Sequence, residues 1–580
     1  MRYLKRLDFI IGFIIFILLL GFVFRKLLLG IHDSLLGWYD YPYIIWILYE
    51  NIAKIKLYSF GNFFDTNILF PYSHNTLLLA DTFIPQSLIA LPLTYFTNNR
   101  ILVFNIVILV TVVLNYFSLL KFWGLWFKSN LAIWMAAIFF LFGPYFYLNF
   151  GNFQMVCYWP FFWSFYFFIL LGRNVKRQWI NLLLAVFFLS LQFLASVYLA
   201  VFLLFCMLLY SAISSWKKGF RLILNFIIVT TLFGIVCSPV IKGYMDTKKI
   251  FNFKRDYRDF IVYSANLSDY VFTTGAPTLE NNVPIVAKWN SFDYNRGTRA
   301  NFPGMVLFLC SLMGILYIKR EKDLQYLGFS LSKRELFFLL LGISGFVFSL
   351  GPRLNFNGNY AQIPLPYLLI LKLPFLESIR GLSRWSFLFY FAITFFAIFF
   401  IFEKLKLSKN MRMVICGVIF CLFLFENLPV NFNAYRDTYT DQSYQYLKKA
   451  CENSDAVVLE IPYSHMVAVN GGLLGGLSYM TKFQLASLDY SCPLVNGYSG
   501  YDLPEKMDFY NRLHLEVLKN NWIGFSKILD ELKRPVLLKV NLSHVDKLSL
   551  EQYQLFFTKK DAKNHVKEVY PGIWYFDPKL

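Results

Sequence analysis

Apolar stretches alternate with short polar ones along most of the chain, near 8–29, 101–121, 130–148, 155–172, 178–194, 196–213, 222–240, 303–318, 335–350, 385–402 and 412–429. Each approaches the roughly twenty residues that carry a helix across about 30 Å of hydrocarbon. The run from 178 to 213 is too long for one crossing and is expected to fold back near Gln192–Ser196. The first run follows a basic head, is too long for a signal-peptide core, and has no small-residue cleavage site after it. It reads as a retained span with its N-terminus in the cytoplasm.

Between these runs lie polar segments near 30–100, 241–302 and 351–384, and a tail from about 430. The tail changes pattern. SYQYLKKAC and LEQYQLFF have helical periodicity, AVVLEIPY and RPVLLKV read as short strands, and VKEVYPGIWYFD reads as two strands around a Pro-Gly turn. The pattern predicts an all-α polytopic membrane domain over 1–429, with about eleven transmembrane helices, followed by a small mixed α/β domain over 430–580.

Composition and charge sharpen this picture. Apolar and aromatic residues make up 57% of the 580 residues, and charged residues only 16%. Exchanging the 38 Tyr for the 31 Gly, to match the usual apolar set, leaves about 56%, against about 45–50% in soluble domains. So few charges cannot cover the surfaces of several soluble domains, which excludes a soluble enzyme and a disordered chain. The net charge of +20, from 55 Lys and Arg against 35 Asp and Glu, sits in short clusters between the apolar runs. These are Arg2, Lys5 and Arg6; Arg173, Lys176 and Arg177; Lys217, Lys218 and Arg221; Lys319, Arg320 and Lys322; and Lys404, Lys406, Lys409 and Arg412. With about eleven spans every cluster falls on the cytoplasmic side, and the polar segments and the tail fall outside. No contiguous basic stripe for nucleic acid is present in the sequence. Of the eight cysteines six lie in or beside spans, whereas Cys451 and Cys492 share the tail, where an oxidising compartment would allow them to pair.

The outer segments hold the candidate chemistry. Asp33, Asp40, Glu50, His74 and Asp81 fall near the outer interface in the first. A carboxylate at that depth is costly unless paired, hydrated or used. Asp40 follows the first span closely, among aromatics, and suits either proton acceptance from a hydroxyl or holding a cation against phosphate. A hydrated loop aspartate is the plain alternative. The second segment carries Lys254, Arg255, Arg258, Arg296 and Arg299 against the positive-inside trend, which suits either a bound phosphate or lipid headgroups. In the third, prolines interrupt an apolar stretch, and Arg380 and Arg384 at i, i+4 would share one helix face, as phosphate ligands or as interfacial anchors. In the tail, Asn496, Tyr498 and Tyr501 combine an amide and aromatics with turn-forming glycines, which suits contact with sugar rings or simply a turn.

Taken in order, YDYPY, LFPYSHNTLLLAD, FGPYFYLNFGNFQ, SVYLAVF, YSANLSDYVF, FPG, SLGP, LPYLLILKLPFLESIRGLSRW and PLVNGYSGYDLP resemble the GT-C superfamily of polytopic glycosyltransferases. The likeness is to an uncharacterised bacterial group with a large extracytoplasmic C-terminal region, and it extends over nearly the whole chain. It implies a GT-C membrane domain and an inverting transfer of a hexosyl or pentosyl group. The donor would be a polyprenyl-phosphate-linked sugar and the acceptor an envelope glycan, glycolipid or protein on the outer face of a bacterial inner membrane. Asp40 matches by position the general base of such enzymes, and Arg380, Arg384, Arg255 and Arg258 the cations on the donor phosphate. His74 and Asp81 would contact a metal or the acceptor, and Asn496, Tyr498 and Tyr501 the acceptor. No cofactor is certain; metal use varies in the superfamily, and a divalent cation, Mg or Mn, on Asp40, His74 and Asp81 is allowed without any spacing that demands it. Where relatives often carry a Gly-His pair this chain has Gly151–Asn152, so that histidine's role does not transfer. The competing readings are a transporter or flippase of lipid-linked saccharides, which would want internal repeats and mid-membrane charges, and a non-catalytic envelope-assembly protein. Neither a repeat nor such charges stand out.

Overall fold

A helix occupies every one of these apolar stretches in the computed structural model of the chain. It describes residues 2–36, 40–173, 177–218, 220–252, 257–270, 301–320, 332–356, 359–372, 379–405, 408–428, 435–436, 442–452, 454–464, 467, 469–470, 472–501, 503–558 and 566–578. Among the described residues seven helices are long and apolar enough to cross a membrane: Arg100–Trp123, Asn130–Tyr147, Phe153–Gly172, Gln178–Ala195, Val197–Ser215, Leu382–Lys404 and Asn410–Asn427. Arg221–Val236 and Ser238–Ile250 qualify only together and are bent by 68°. Ile10–Val23 and Met305–Ile318 are apolar but shorter. The chain is thus a multi-pass membrane protein, with seven or eight helices meeting the length requirement where about eleven spans are expected from the sequence. The fold-back in the 178–213 run falls at Ser196, whose extended backbone separates two helices.

The chain divides into two compact units. The first comprises Met1–Leu29, Ile108–Ser238 and Lys254–Asn433. Its core is aromatic: the Phe338 and Phe395 rings stack at 3.9 Å, Phe391 meets Phe338 edge-on, and Phe122 and Trp123 meet Phe391 tilted and edge-on. In hydrocarbon, where burial of apolar surface gives little drive, close backbone approach matters more. Glycine provides it. A Cβ on Gly314 would lie 2.4 Å from the Phe396 carbonyl, and one on Gly345 would lie 2.5 Å from the Phe389 nitrogen, so both flanking helices press onto Ser386–Phe399. Past Ser349 the chain forms an antiparallel hairpin of Arg353–Phe356 with Asn359–Pro364.

The second unit comprises Gly30–Val107, Pro239–Phe253 and Ala434–Leu580. Its four-stranded sheet has the order Val457–Ile461, Val536–Val540, Ile573–Phe576, Val566–Tyr570, parallel for the first pair and antiparallel for the rest. The predicted strands are all present, and Gly572, at φ +75°, makes the turn between the last two. Alternation splits the sheet. Val457, Leu459 and Ile461 face a core with Phe509, Leu513, Phe525 and Phe556 from helices Pro504–Leu518, Trp522–Leu529 and Leu550–Thr558. Glu460 and Lys539, opposite each other in register, point the other way, pair at 3.4 Å and are buried, and Tyr479 donates to the same carboxylate at 3.1 Å. Burial holds the Glu460 carboxyl above its ordinary range even against the pull of Lys539.

The edge of Val457–Ile461 is covered by residues 493–496, which join it to the first polar segment. On the strand side, Val458 N donates to Pro493 O at 2.9 Å and Val495 N to Val458 O at 2.8 Å. On the other side, Leu494 N donates to Asn67 O at 2.7 Å, Leu69 N to Asn496 O at 3.0 Å and Phe70 N to Leu494 O at 3.0 Å. The Asn496 side chain fastens the arrangement. Its Oδ1 accepts from Glu460 N at 2.7 Å, and its Nδ2 donates to Glu460 O at 3.0 Å and Tyr463 O at 2.7 Å. A disulfide joins Cys451 to Cys492, with Cα atoms 5.3 Å apart, just ahead of this segment.

Two outcomes are expected. Denatured without reductant, the chain should offer six reactive thiols, and eight after reduction; eight without reductant contradicts the pairing. Asn496→Ala leaves three buried backbone groups unpaired and should lower unfolding stability by about 2–4 kcal/mol, read as a drop in the thermal midpoint. A loss below about 0.5 kcal/mol, the size expected of an ordinary surface substitution, contradicts the fastening role.

Candidate functional site

In the second unit the first-segment acids meet the tail tyrosines. Asp40 immediately precedes helix Tyr41–Lys56, which Pro42 helps to start. Its backbone carbonyl accepts from Ile44 N at 2.8 Å, but its carboxylate makes no capping bond to the helix. The carboxylate is half-buried, and Tyr498 Oη donates to Oδ1 at 3.5 Å. Tyr498 is set by two contacts: its N–H donates to Gln484 Oε1 at 2.7 Å, and its ring meets Tyr43 edge-on at 5.1 Å. Burial, then the charges of Asp40 and Asp81, push the Tyr43 hydroxyl well above its ordinary range. Tyr43 therefore stays a neutral donor between two carboxylates.

Asp81 has a second tyrosine neighbour. Tyr244, in helix Ser238–Ile250, donates to Ala80 O at 2.9 Å. Asp81, Tyr501 and Tyr43 are its electrostatic neighbours. Close packing sets this position. A Cβ on Gly243 would meet Leu78 at 2.5 Å, and one on Gly500 would meet the Leu79 carbonyl at 2.8 Å, so the 76–81 stretch is held between Ser238–Ile250 and the 497–501 loop. Two carboxylates and four tyrosines thus share one neighbourhood: Asp40 and Asp81 with Tyr43, Tyr244, Tyr498 and Tyr501. Such a set can accept a proton and can bind hydroxyl groups.

The other predicted residues of this unit lie differently. Asn496 is fully buried with its amide committed to three backbone groups, so it holds the loop that carries Tyr498. His74 is exposed; its Nδ1 lies 3.0 Å from Asp65 Oδ1 and its Nε2 3.1 Å from Asn75 Nδ2. It does not join Asp40 and Asp81. Among the described residues no three His, Cys, Asp or Glu side chains gather as metal ligands, and no chemical step is assigned to a metal.

In the first unit, Arg384 donates to Asn152 Oδ1 at 2.8 Å and lies over the Tyr198 ring at 4.5 Å. Arg380 lies over Tyr263 at 4.9 Å. The expected shared helix face is absent. Residues 379–381 carry no regular structure, Leu382–Trp385 forms a 3₁₀ turn that Gly381 precedes, and Arg380 stays outside it. Instead Tyr198 Oη accepts from Gly381 N at 3.2 Å, which ties the bend between the two arginines to the ring under Arg384. Arg258 is exposed on helix Tyr257–Val262, and Arg255, Arg296 and Arg299 lie outside the described residues.

Sequence reasoning passed over Tyr43, Tyr244, Gln484 and Tyr198. Tyr43 and Tyr198 lie inside the YDYPY and SVYLAVF motifs, so a signal was present for both. Tyr244 and Gln484 become relevant only through contacts far along the chain.

Comparison with known proteins gives the fold a context. The oligosaccharyltransferase AglB from the archaeon Archaeoglobus fulgidus, solved with an inhibitory peptide and a dolichol-phosphate, aligns with 93% of this chain and 69% of its own, at 13% identity and a TM-score of 0.47. The arabinofuranosyltransferase AftD from Mycobacteria aligns with 100% of this chain and 42% of its own, at 10% identity and a TM-score of 0.51. The chain thus spans under half the length of AftD, and the likeness to AftD shows the GT-C fold expected from the sequence. No curated protein sequence matches the chain. Residues 58–425 match a family described as a domain of unknown function, and the chain, most of whose length that match covers, belongs to this DUF6311 family.

Proposed function

We propose that the chain is a membrane glycosyltransferase that moves a sugar from a polyprenyl-phosphate donor to a hydroxyl of an envelope glycan, glycolipid or protein. The face served is the outer side of a bacterial cytoplasmic membrane, to which the positive-inside pattern assigns the polar segments. The observation that carries the reading is the Asp40 carboxylate, which is not used to cap its own helix and sits among tyrosines from distant parts of the chain. The GT-C fold and the name of AftD, an arabinofuranosyltransferase, support the same class of reaction.

Asp40 takes the proton of the acceptor hydroxyl as its oxygen attacks the anomeric carbon. The bond from that carbon to the donor phosphate breaks, and the phosphate leaves with the electron pair. A single displacement of this kind inverts the anomeric centre. Tyr43 and Tyr498, neutral donors beside Asp40, orient the carboxylate and the incoming hydroxyl. Tyr498 and Tyr501 offer ring faces to the acceptor sugar. The family resemblance, rather than any measured proximity to Asp40, gives Arg380 and Arg384 the task of opposing the charge that develops on the leaving phosphate. Asn152 keeps the Arg384 guanidinium in place.

Asp40→Asn should cut transfer at least about a hundredfold in membranes supplied with polyprenyl-phosphate sugar, with the thermal midpoint unchanged; full activity removes Asp40 as the base. Arg384→Ala should lower kcat/KM by about 10²–10³. Arg384→Lys should not restore it, because a lysine cannot present the same planar fork. Asn152→Ala should fall between wild type and Arg384→Ala. Wild-type kinetics in Arg384→Ala would remove the arginine from the mechanism.

A further inference from the structure

The first polar segment contains a helix that faces the wrong way for a water-exposed loop. Ile84–Leu93 turns Gln86 and Ser87 inward, both fully buried, and turns Leu88 outward. It packs on Tyr41–Lys56 through polar contacts: Asn51 Nδ2 donates to Thr82 O at 2.8 Å and to Ser87 Oγ at 2.9 Å. At the ends of the two helices the apolar side chains are uncovered. Leu57, Tyr58 and Phe60 follow one, Tyr95 and Phe96 the other, with Tyr58 81% and Phe96 88% exposed. Lys56 Nζ lies 4.6 Å over the Tyr95 ring and links the two ends into one patch. In water such a surface is a liability. Polar groups inside and apolar groups outside suit a surface solvated by hydrocarbon.

The sequence next to the patch says what covers it. Phe96 is followed after three residues by Arg100, the first residue of a membrane-length helix. Four residues reach at most about 14 Å, so Phe96 stays near the plane where that span leaves the hydrocarbon. Arg100 marks that plane. It forms a two-pronged pair with Asp489 at 3.1 and 2.8 Å and lies over the Tyr49 ring at 5.4 Å, as a headgroup-level cation does. Aromatic rings rimmed by Lys54, Lys56 and Arg100 form the signature of an interfacial anchor, with the lysine stems crossing the apolar surface and their charges in the headgroups.

We infer that the patch formed by Leu57, Tyr58, Phe60, Tyr95 and Phe96 inserts into the bilayer leaflet that the Arg100–Trp123 span enters, and so anchors the segment between the first two apolar runs to lipid rather than to protein. Its partner is the boundary between acyl chains and headgroups. The inference does not depend on the glycosyltransferase reading. It does bear on Asp40, which begins the same helix that ends at the patch, about 24 Å away along sixteen residues.

A photoreactive benzoylphenylalanine placed at Tyr58 or at Phe96, one at a time, in the full chain in liposomes of radiolabelled phospholipid tests this. Leu183, exposed on the Gln178–Ala195 span, is the lipid-facing control, and Leu548, 92% exposed on the sheet-bearing unit, is the water-facing one. Irradiation should attach phospholipid at 58 and 96 as at 183, at least about tenfold above the level at 548. Lipid adducts at 183 with background levels at both 58 and 96 overturn the inference. So does an adduct of twice the chain mass at 58 and 96 in place of lipid, which would make the patch an interface between copies. Because both positions point away from the packed interior, the substitutions leave folding intact, and the yield at 183 in the same preparation verifies insertion.

Discussion

The second unit depends on one side chain that does no chemistry. Asn496 satisfies three backbone groups that the end of the sheet would otherwise bury unpaired, and its own carbonyl accepts from Leu69 in the first polar segment. A buried polar group left without a partner costs more than a made hydrogen bond gains, so the 493–496 segment has one stable position. Everything after it inherits that position. Gly497 and Gly500 pass where a Cβ would touch Leu69 and the Leu79 carbonyl, and Tyr498 arrives at Asp40. Tyr498 is therefore brought to Asp40 by a hydrogen-bonded segment, while close packing around Gly243 and Gly500 sets the 76–81 stretch.

The membrane-spanning unit uses another resource. Its helices bury rings against rings, and glycines bring backbones together where lipid supplies no net drive for association. The two arginines sit at the edge of this arrangement, each over a tyrosine face, and Arg384 has a hydrogen bond from its guanidinium to Asn152. A guanidinium held this way keeps donors available for an anion, since the ring takes up its face and the amide only one N–H.

Legibility in the sequence follows the range of each interaction. Spans show because hydropathy is summed over about twenty adjacent residues, and the tail strands show because alternation is local. Asp40 stands out in the sequence by its place after the first span, which is a local feature. What was missed came from contacts across the chain: Tyr498 with Asp40, Tyr244 with Asp81, and Arg384 with Asn152. The i, i+4 spacing of Arg380 and Arg384 misled because Gly381 breaks the turn that the spacing assumes. Composition suggested a sugar-binding role for Asn496, yet burial gives its amide to the backbone. The Cys451–Cys492 pair was open from the sequence because spacing says nothing about the separation of Cα atoms. The hairpin at 353–364 lay hidden in a stretch whose prolines announce only that a helix ends there.

The central claim is that a carboxylate base drives a single displacement at the sugar. The most direct test is the stereochemistry of the product. A polyprenyl-phosphate donor of known anomeric configuration, labelled with ¹³C at the anomeric carbon, is turned over by the full chain in liposomes, and the linkage formed is read by NMR. Inversion at that carbon is the result predicted. A product that retains the donor's configuration would contradict it, since retention requires a covalent or front-face route in which Asp40 is not the base that activates the acceptor.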